Sequence, residues 1–195
     1  MNAKTARVAV LISGRGSNMV ALAQACLDPD YPAEIVTVIS DTYGAGGLAR
    51  ADEQGIKNLV VARKDFSNKQ AHEAALSRLL AACEPDVICL AGFMRILSAE
   101  FLAPWQGRII NIHPSLLPKH KGLDTHAKAL AAGDTEHGCS VHHVTPGMDE
   151  GPVIAQARVP VLAGDTSDTL AARVIVEEHK LYPHALQMLI ESLGV

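Results

Sequence analysis

The chain has 195 residues, 48% of them hydrophobic, and no Ser/Gly/Pro-rich linker or charge block divides it, so one domain with one substantial core is expected over residues 1–195. A net charge of −4 argues against a general nucleic-acid-binding surface. No apolar run is long enough to span a bilayer, and Met1-Asn2-Ala3-Lys4 leads toward a strand without a secretory leader, so a soluble, cytoplasmic protein with no membrane or nucleic-acid partner is predicted.

Strand and helix signals alternate along the chain. Arg7 to Ile12 is a β-branched run, followed by a glycine turn and a helix from Asn18 to Leu27. Glu34 to Ile39 reads as the second strand, and Gly46 to Gln54 as a helix stopped by Gly55. Asn58 to Val61 is a short third strand. Ser67 to Ala82 has helical periodicity, with Leu76, Leu79 and Leu80 on one face and Ser67 as its N-cap. Asp86 to Leu90 and Arg108 to Ile112 are nearly continuous apolar runs, the pattern of strands buried on both faces. Thr125 to Ala132 is a short helix ending at Gly133. Ser140 to Thr145 and Val153 to Val159 then flank the turn Pro146 to Pro152 as an antiparallel hairpin, and a helix from Thr169 to Leu193 closes the chain. This order predicts an α/β fold: a doubly wound, mostly parallel sheet of Rossmann-like form with an antiparallel C-terminal hairpin.

In such a sheet, ligands bind beyond the carboxyl ends of the strands. Asn111 and His113 stand there, two residues apart and therefore on one face. An amide can donate to a growing oxyanion and an imidazole can move a proton near neutral pH. Pro114 and Pro118 stiffen the chain just after them. Ser13-Gly14-Arg15-Gly16-Ser17-Asn18 joins the first strand to the first helix. It reads either as a phosphate cradle at a helix N-terminus or as a plain βα turn, because it is neither GxGxxG nor Walker A. Asp149 lies in the hairpin turn, where aspartate is common for turn reasons alone; within reach of His113 it would favour the imidazolium. Met94-Arg95-Ile96-Leu97 could line a flat heteroaromatic pocket or open a core helix. Ser140, Glu178 and Lys69 carry no signal by themselves. Cys26, Cys83 and Cys89 read as small buried hydrophobes, and Cys139 stands apart from them with no CxxC pair anywhere. The nine histidines show no HxxxH or HExxH spacing on a predicted helix, and adjacent His142 and His143 face opposite sides of a strand, so no metal site is expected.

Taken in order, Ile12-Ser13-Gly14-x-Gly16-Ser17-Asn18, Leu90 to Ser98, Asn111 to Pro118, His137-Gly138-x-Ser140-Val141-His142 and Asp149-x-Gly151-Pro152-Val153-Ile154 resemble the folate-dependent phosphoribosylglycinamide formyltransferases over residues 8 to about 183. The resemblance implies transfer of a formyl group from 10-formyltetrahydrofolate to the amine of glycinamide ribonucleotide, in purine synthesis, by a monomer or homodimer and without metal. It further implies His113 as proton-transferring residue, Asn111 as formyl-oxygen ligand, Asp149 as the carboxylate beside His113, and Ser140 as a supporting polar residue. Gly16, Ser17, Asn18 and Glu178 would hold the ribonucleotide. Met94, Arg95, Ile96, Leu97 and the turn Thr145, Pro146, Gly147, Met148, Asp149 would hold the pterin, with Lys69 where relatives often carry an arginine that meets the folate. The ribonucleotide phosphate site thus falls in the N-terminal half, and the folate and catalytic site in the C-terminal half. Lys121, Asp124, Cys139 and the end at Val195 depart from the family pattern without removing a named catalyst. A formyltetrahydrofolate hydrolase and a non-catalytic folate- or nucleotide-binding module are the alternatives.

Overall fold

The computed structural model describes residues 5–195, so the reading of the first four residues as leaderless lies outside the described part. Seven strands form one sheet in the order β3-β2-β1-β4-β5-β6-β7. They are β1 (Ala6–Ile12), β2 (Ala33–Ser40), β3 (Asn58–Val60), β4 (Val87–Leu90), β5 (Ile109–His113), β6 (Glu136–His143) and β7 (Val153–Pro160). The first five are mutually parallel; β6 runs antiparallel to β5, and β7 antiparallel to β6.

The helices are α1 (Ser17–Ala25), α2 (Gly46–Glu53), α3 (Lys69–Cys83), α4 (Ala99–Leu102), α5 (Thr125–Ala131) and α6 (Ser167–Leu193). Alternation along β1 shows why it is apolar from Val8 to Ile12. Val8, Val10 and Ile12 pack with Met19 and Leu22 of α1 and Leu170 and Val174 of α6, while Ala9 and Leu11 pack with Leu76 and Leu80 of α3. Covering both faces with helices leaves no polar side to β1 from Val8 onward. Tyr182 of α6 is wholly buried, and its hydroxyl lies 3.0 Å from the Leu90 carbonyl and 3.2 Å from that of Ile110, tying α6 to β4 and β5.

Several local expectations shift. The N-cap of α3 is Asn68, not Ser67: the Asn68 side chain accepts from the Ala71 N–H at 2.8 Å, and the helix starts two residues later than periodicity alone suggests. Residues 94–97 do not open a helix. They run as an irregular segment until Ser98 caps α4, a short helix the sequence reading passed over. Strand β6 starts at Glu136, four residues earlier than expected, because it pairs with β7 along its whole length. Among the cysteines, Cys89 and Cys139 are buried, whereas Cys26 and Cys83 are only half-buried; all four are free. Among the described residues, no helix is long and apolar enough to cross a membrane.

Candidate active site

Strand alternation builds the site. Ile110 and Ile112 of β5 and Cys139 and Val141 of β6 point into the core under α6. Asn111, His113, Ser140 and His142 therefore share the opposite face, and the antiparallel register sets Asn111 against His142 and His113 against Ser140.

The turn between β6 and β7 then delivers Asp149, in the left-handed region at φ 51°, above these four. One carboxylate oxygen of Asp149 accepts from the Gly122 N–H at 2.9 Å and stands 3.4 Å from His113 Nδ1; the other stands 3.6 Å from His142 Nε2. His113 Nε2 lies 3.1 Å from the His120 carbonyl. Both ring nitrogens of His113 thus face oxygen acceptors.

His142 is arranged in the opposite sense. Its Nδ1–H donates to the His143 carbonyl at 2.9 Å, leaving Nε2 to accept from the Asn111 amide at 3.1 Å. Burial pushes the His142 imidazole below its usual value, which keeps it neutral and able to accept. That contact fixes which end of the Asn111 amide is nitrogen, and leaves its second N–H for a ligand.

His142 was the residue missed in the sequence, where adjacency to His143 argued only against a metal. The signal was present: Ser140 and His142 are two apart, the same spacing that paired Asn111 with His113. Ser140 supports the site from underneath. Its hydroxyl donates to the Ser115 carbonyl at 2.6 Å and takes hydrogen bonds from the Leu117 N–H and the Gln156 amide, so it holds the 113–118 loop rather than touching His113. Gln156, which also donates to the Leu117 carbonyl at 2.9 Å, had no sequence signal.

A second group forms at the end of β1. Gly16 caps α1 at φ 71°, and a Cβ there would stand 2.6 Å from the Gly47 Cα, so only glycine allows the loop to press against α2. The amides of the first turn of α1 are left free of helix partners. Asn18 donates to Glu178 of α6 at 2.6 Å across 160 residues of sequence. Burial raises the Glu178 carboxyl above its usual value, with the Asn18 amide opposing.

The other predicted residues border this region. The Met94 N–H donates to Ser13 at 2.8 Å, Met94 and Ile96 are exposed, Leu97 is buried, and Arg95 reaches Asp41. Met148 is exposed beside Gly122. Lys69 makes no contact with the histidines; it lies 3.7 Å from Glu73, whose carboxylate in turn accepts from the Ser98 N–H and hydroxyl.

Residues 6–186 match the family model described as formyl transferase. The chain belongs to the formyl transferase family. Among solved structures, this formyl transferase is similar to phosphoribosylglycinamide formyltransferase from Brucella melitensis, at 58% identity and a TM-score of 0.92, with 95% of each chain covered. It is 48% identical to the phosphoribosylglycinamide formyltransferase of Escherichia coli over 90% of this chain and 83% of that one. It is also 49% identical to the trifunctional purine biosynthetic protein adenosine-3 of Drosophila melanogaster over 97% of this chain, but spans only 14% of that protein's length.

Beside the site lies a histidine pair with a predictable pH response. His126 Nδ1 and His137 Nε2 are 3.1 Å apart, and His137 is buried. Burial first, and then the neighbouring His126 and His120, push His137 down to about 4 from an ordinary 6.5. The unfolded chain therefore binds a proton that the folded chain refuses between those values, so stability is present above pH 6.5 and is lost as pH falls toward 4. Urea unfolding across this window should show a falling midpoint, with a shallower fall in His137→Gln; an unchanged slope in that variant would reject the assignment.

Proposed function

We propose that the chain transfers the formyl group of 10-formyltetrahydrofolate to the amine of glycinamide ribonucleotide, the one-carbon step that two groups of relatives carry in their names as purine biosynthesis or formyl transfer. The observation that carries this reading is the convergence of Asn111 and His113, at the carboxyl end of β5, with Asp149 of the turn above them, His113 Nδ1 standing 3.4 Å from the carboxylate.

The amine nitrogen attacks the formyl carbon, a new C–N bond forms, and negative charge grows on the formyl oxygen. The free N–H of Asn111 and a protonated His113 stabilise that oxygen. The bond from carbon to the folate nitrogen then breaks. The attacking amine must lose a proton and the departing folate nitrogen must gain one. His113, or a water held by Asp149, carries it. Asp149 faces His113 Nδ1 and orients its ring, His142 sets the Asn111 amide, and Ser140 positions the loop. Holding two substrates in register supplies much of the acceleration, with no covalent intermediate and no metal.

Gly16, Ser17 and Asn18 at the head of α1 receive the ribonucleotide phosphate, where free amides and the helix dipole favour an anion, and Glu178 meets the same substrate. Residues 94–97 and 145–149 enclose the pterin. Lys69 stands next to the first of these segments through Glu73 and Ser98 and serves the acidic end of the folate. A lysine there lacks the two-pronged fit of an arginine, so its contribution is small. The chain acts as one domain, as a monomer or homodimer, and its free cysteines suit a reducing cytoplasm.

The test follows tetrahydrofolate formation by absorbance with and without glycinamide ribonucleotide. Turnover is expected only with the ribonucleotide. Equal turnover in its absence would make the enzyme a hydrolase, and tight binding of both ligands without turnover would make it a binding module.

A further inference from the structure

Outside the catalytic and ribonucleotide groups, two carboxylates are buried among the described residues, Asp41 and Glu73, and both are turned to the chain between β4 and α4. Residues 94–97 of that chain are irregular, and among the described residues their backbone makes no hydrogen bond to other backbone. Side chains therefore set their path. Phe93 and Leu97 anchor the segment in the core beside Phe101 and Leu102. Ser13 accepts the Met94 N–H at 2.8 Å, and Asp41 binds Arg95. Glu73 of α3 holds the far end with both oxygens: one accepts the Ser98 N–H at 2.9 Å, and the other accepts the Ser98 hydroxyl. That hydroxyl in turn accepts the Phe101 N–H at 3.2 Å, as the cap of α4.

Packing does not account for Glu73. It lies on the buried face of α3 with His72, Leu76 and Leu80, where a carboxylate is tolerated only when partnered and an apolar side chain of similar size would serve the core as well. Lys69 lies 3.7 Å away but is half-exposed, and a pair of that kind contributes little. What the carboxylate does that an apolar residue cannot is hold Ser98 in one orientation, one residue beyond the segment 94–97. Met94 and Ile96, exposed on that segment, take their places from its two anchored ends. We propose that Glu73 is a positioning residue for the folate co-substrate: by taking both donors of Ser98 it fixes the exit of the segment, and with it the surface that Met94 and Ile96 offer to the pterin. This rests on the formyl-transfer reading.

The test measures kcat, both KM values and Tm in the wild-type chain and in Glu73→Gln, Ser98→Ala, Ser98→Thr and the Glu73→Gln, Ser98→Ala double variant. Glutamine keeps an oxygen for the Ser98 N–H but loses the acceptor for the hydroxyl. Its KM for 10-formyltetrahydrofolate should rise roughly tenfold, the scale of one hydrogen bond to a charged group. The KM for glycinamide ribonucleotide should hold, and kcat should fall far less than the folate KM rises. Ser98→Ala should repeat this split while leaving the Lys69–Glu73 pair in place, so agreement of the two excludes Lys69 as the cause. The double variant should be no worse than the more severe single one, because both remove the same bond. Ser98→Thr keeps the hydroxyl and should behave as wild type. Should Glu73→Gln fail to fold, Ser98→Ala decides the matter from the other side of the bond. An unchanged folate KM in Ser98→Ala overturns the proposal, as does a fall in Tm and kcat with both KM values unmoved, the mark of a purely structural residue. An equal rise in the ribonucleotide KM also overturns it. No turnover by the wild-type chain overturns the formyl-transfer reading itself, and the role of Glu73 falls with it.

Discussion

Replacing His113 with alanine should lower kcat by about 10²–10⁴, the range that positioned proton transfer contributes. The geometry supports the upper part of that range. His113 lies between Asp149 and the His120 carbonyl, whereas His142, which burial pushes below its usual value, is turned to the Asn111 amide. Asp149→Asn should cost less than His113→Ala, because the amide still fills the turn and faces Gly122 but no longer sets a carboxylate against His113 Nδ1. Asn111→Ala should lower kcat by about 10²–10³, the usual loss of one oxyanion donor. The three substitutions act on one transition state, so their effects should not add in combination. KM for the ribonucleotide should move little, because the proposed phosphate site at the head of α1 is 93 or more residues away in sequence. Steady-state kinetics of the single and double variants decide the matter. Wild-type kcat in His113→Ala would remove His113 from the mechanism.

Gly151→Ala should damage both stability and catalysis, whereas Gly147→Ala in the same turn should leave stability intact and lower kcat far less. The two glycines differ in what a methyl group would meet. At Gly151 it would lie 1.7 Å from the His143 carbonyl oxygen and 2.7 Å from its carbon, both backbone atoms of the strand pair. That carbonyl also accepts the Nδ1–H of His142, and the His143 N–H closes the turn on the Pro152 carbonyl at 2.9 Å. Neither side can yield without opening the base of the turn. Overpacking of this kind costs about 1–3 kcal/mol or more, which in a chain of this length is a Tm drop of roughly 2–10 °C. The larger effect is on kcat, since Asp149 sits two residues before the clash and His142 loses its acceptor. At Gly147 the methyl would meet only the end of the Glu150 side chain, 2.2 Å away, and that side chain can swing aside at the expense of an exposed pair with Lys121. Melting curves and kcat for the two variants side by side provide the check. Similar behaviour of the pair would refute the account of the turn.

Much of this protein is determined by short-range chemistry that its sequence displays. The β-branched run of β1, the apolar runs of β4 and β5, the glycine stops after α2 and α5 and the turn before β7 all depend on neighbours within a few residues, and each is legible without a structure. The same holds for the shared face of Asn111 and His113, which the pleat alone dictates. What tertiary structure alone decided is how these pieces meet. The antiparallel register of β5 and β6 sets His142 against Asn111, a pairing that no local pattern specifies, and that turns a histidine with no apparent purpose into the residue that orients the amide. The crossovers bring Asn18 to Glu178, Arg95 to Asp41 and Ser140 to the back of the 113–118 loop. Hydrophobic periodicity reports which face of an element is buried but not which polar groups stand opposite it, because that depends on strand register and helix placement summed over the whole sheet.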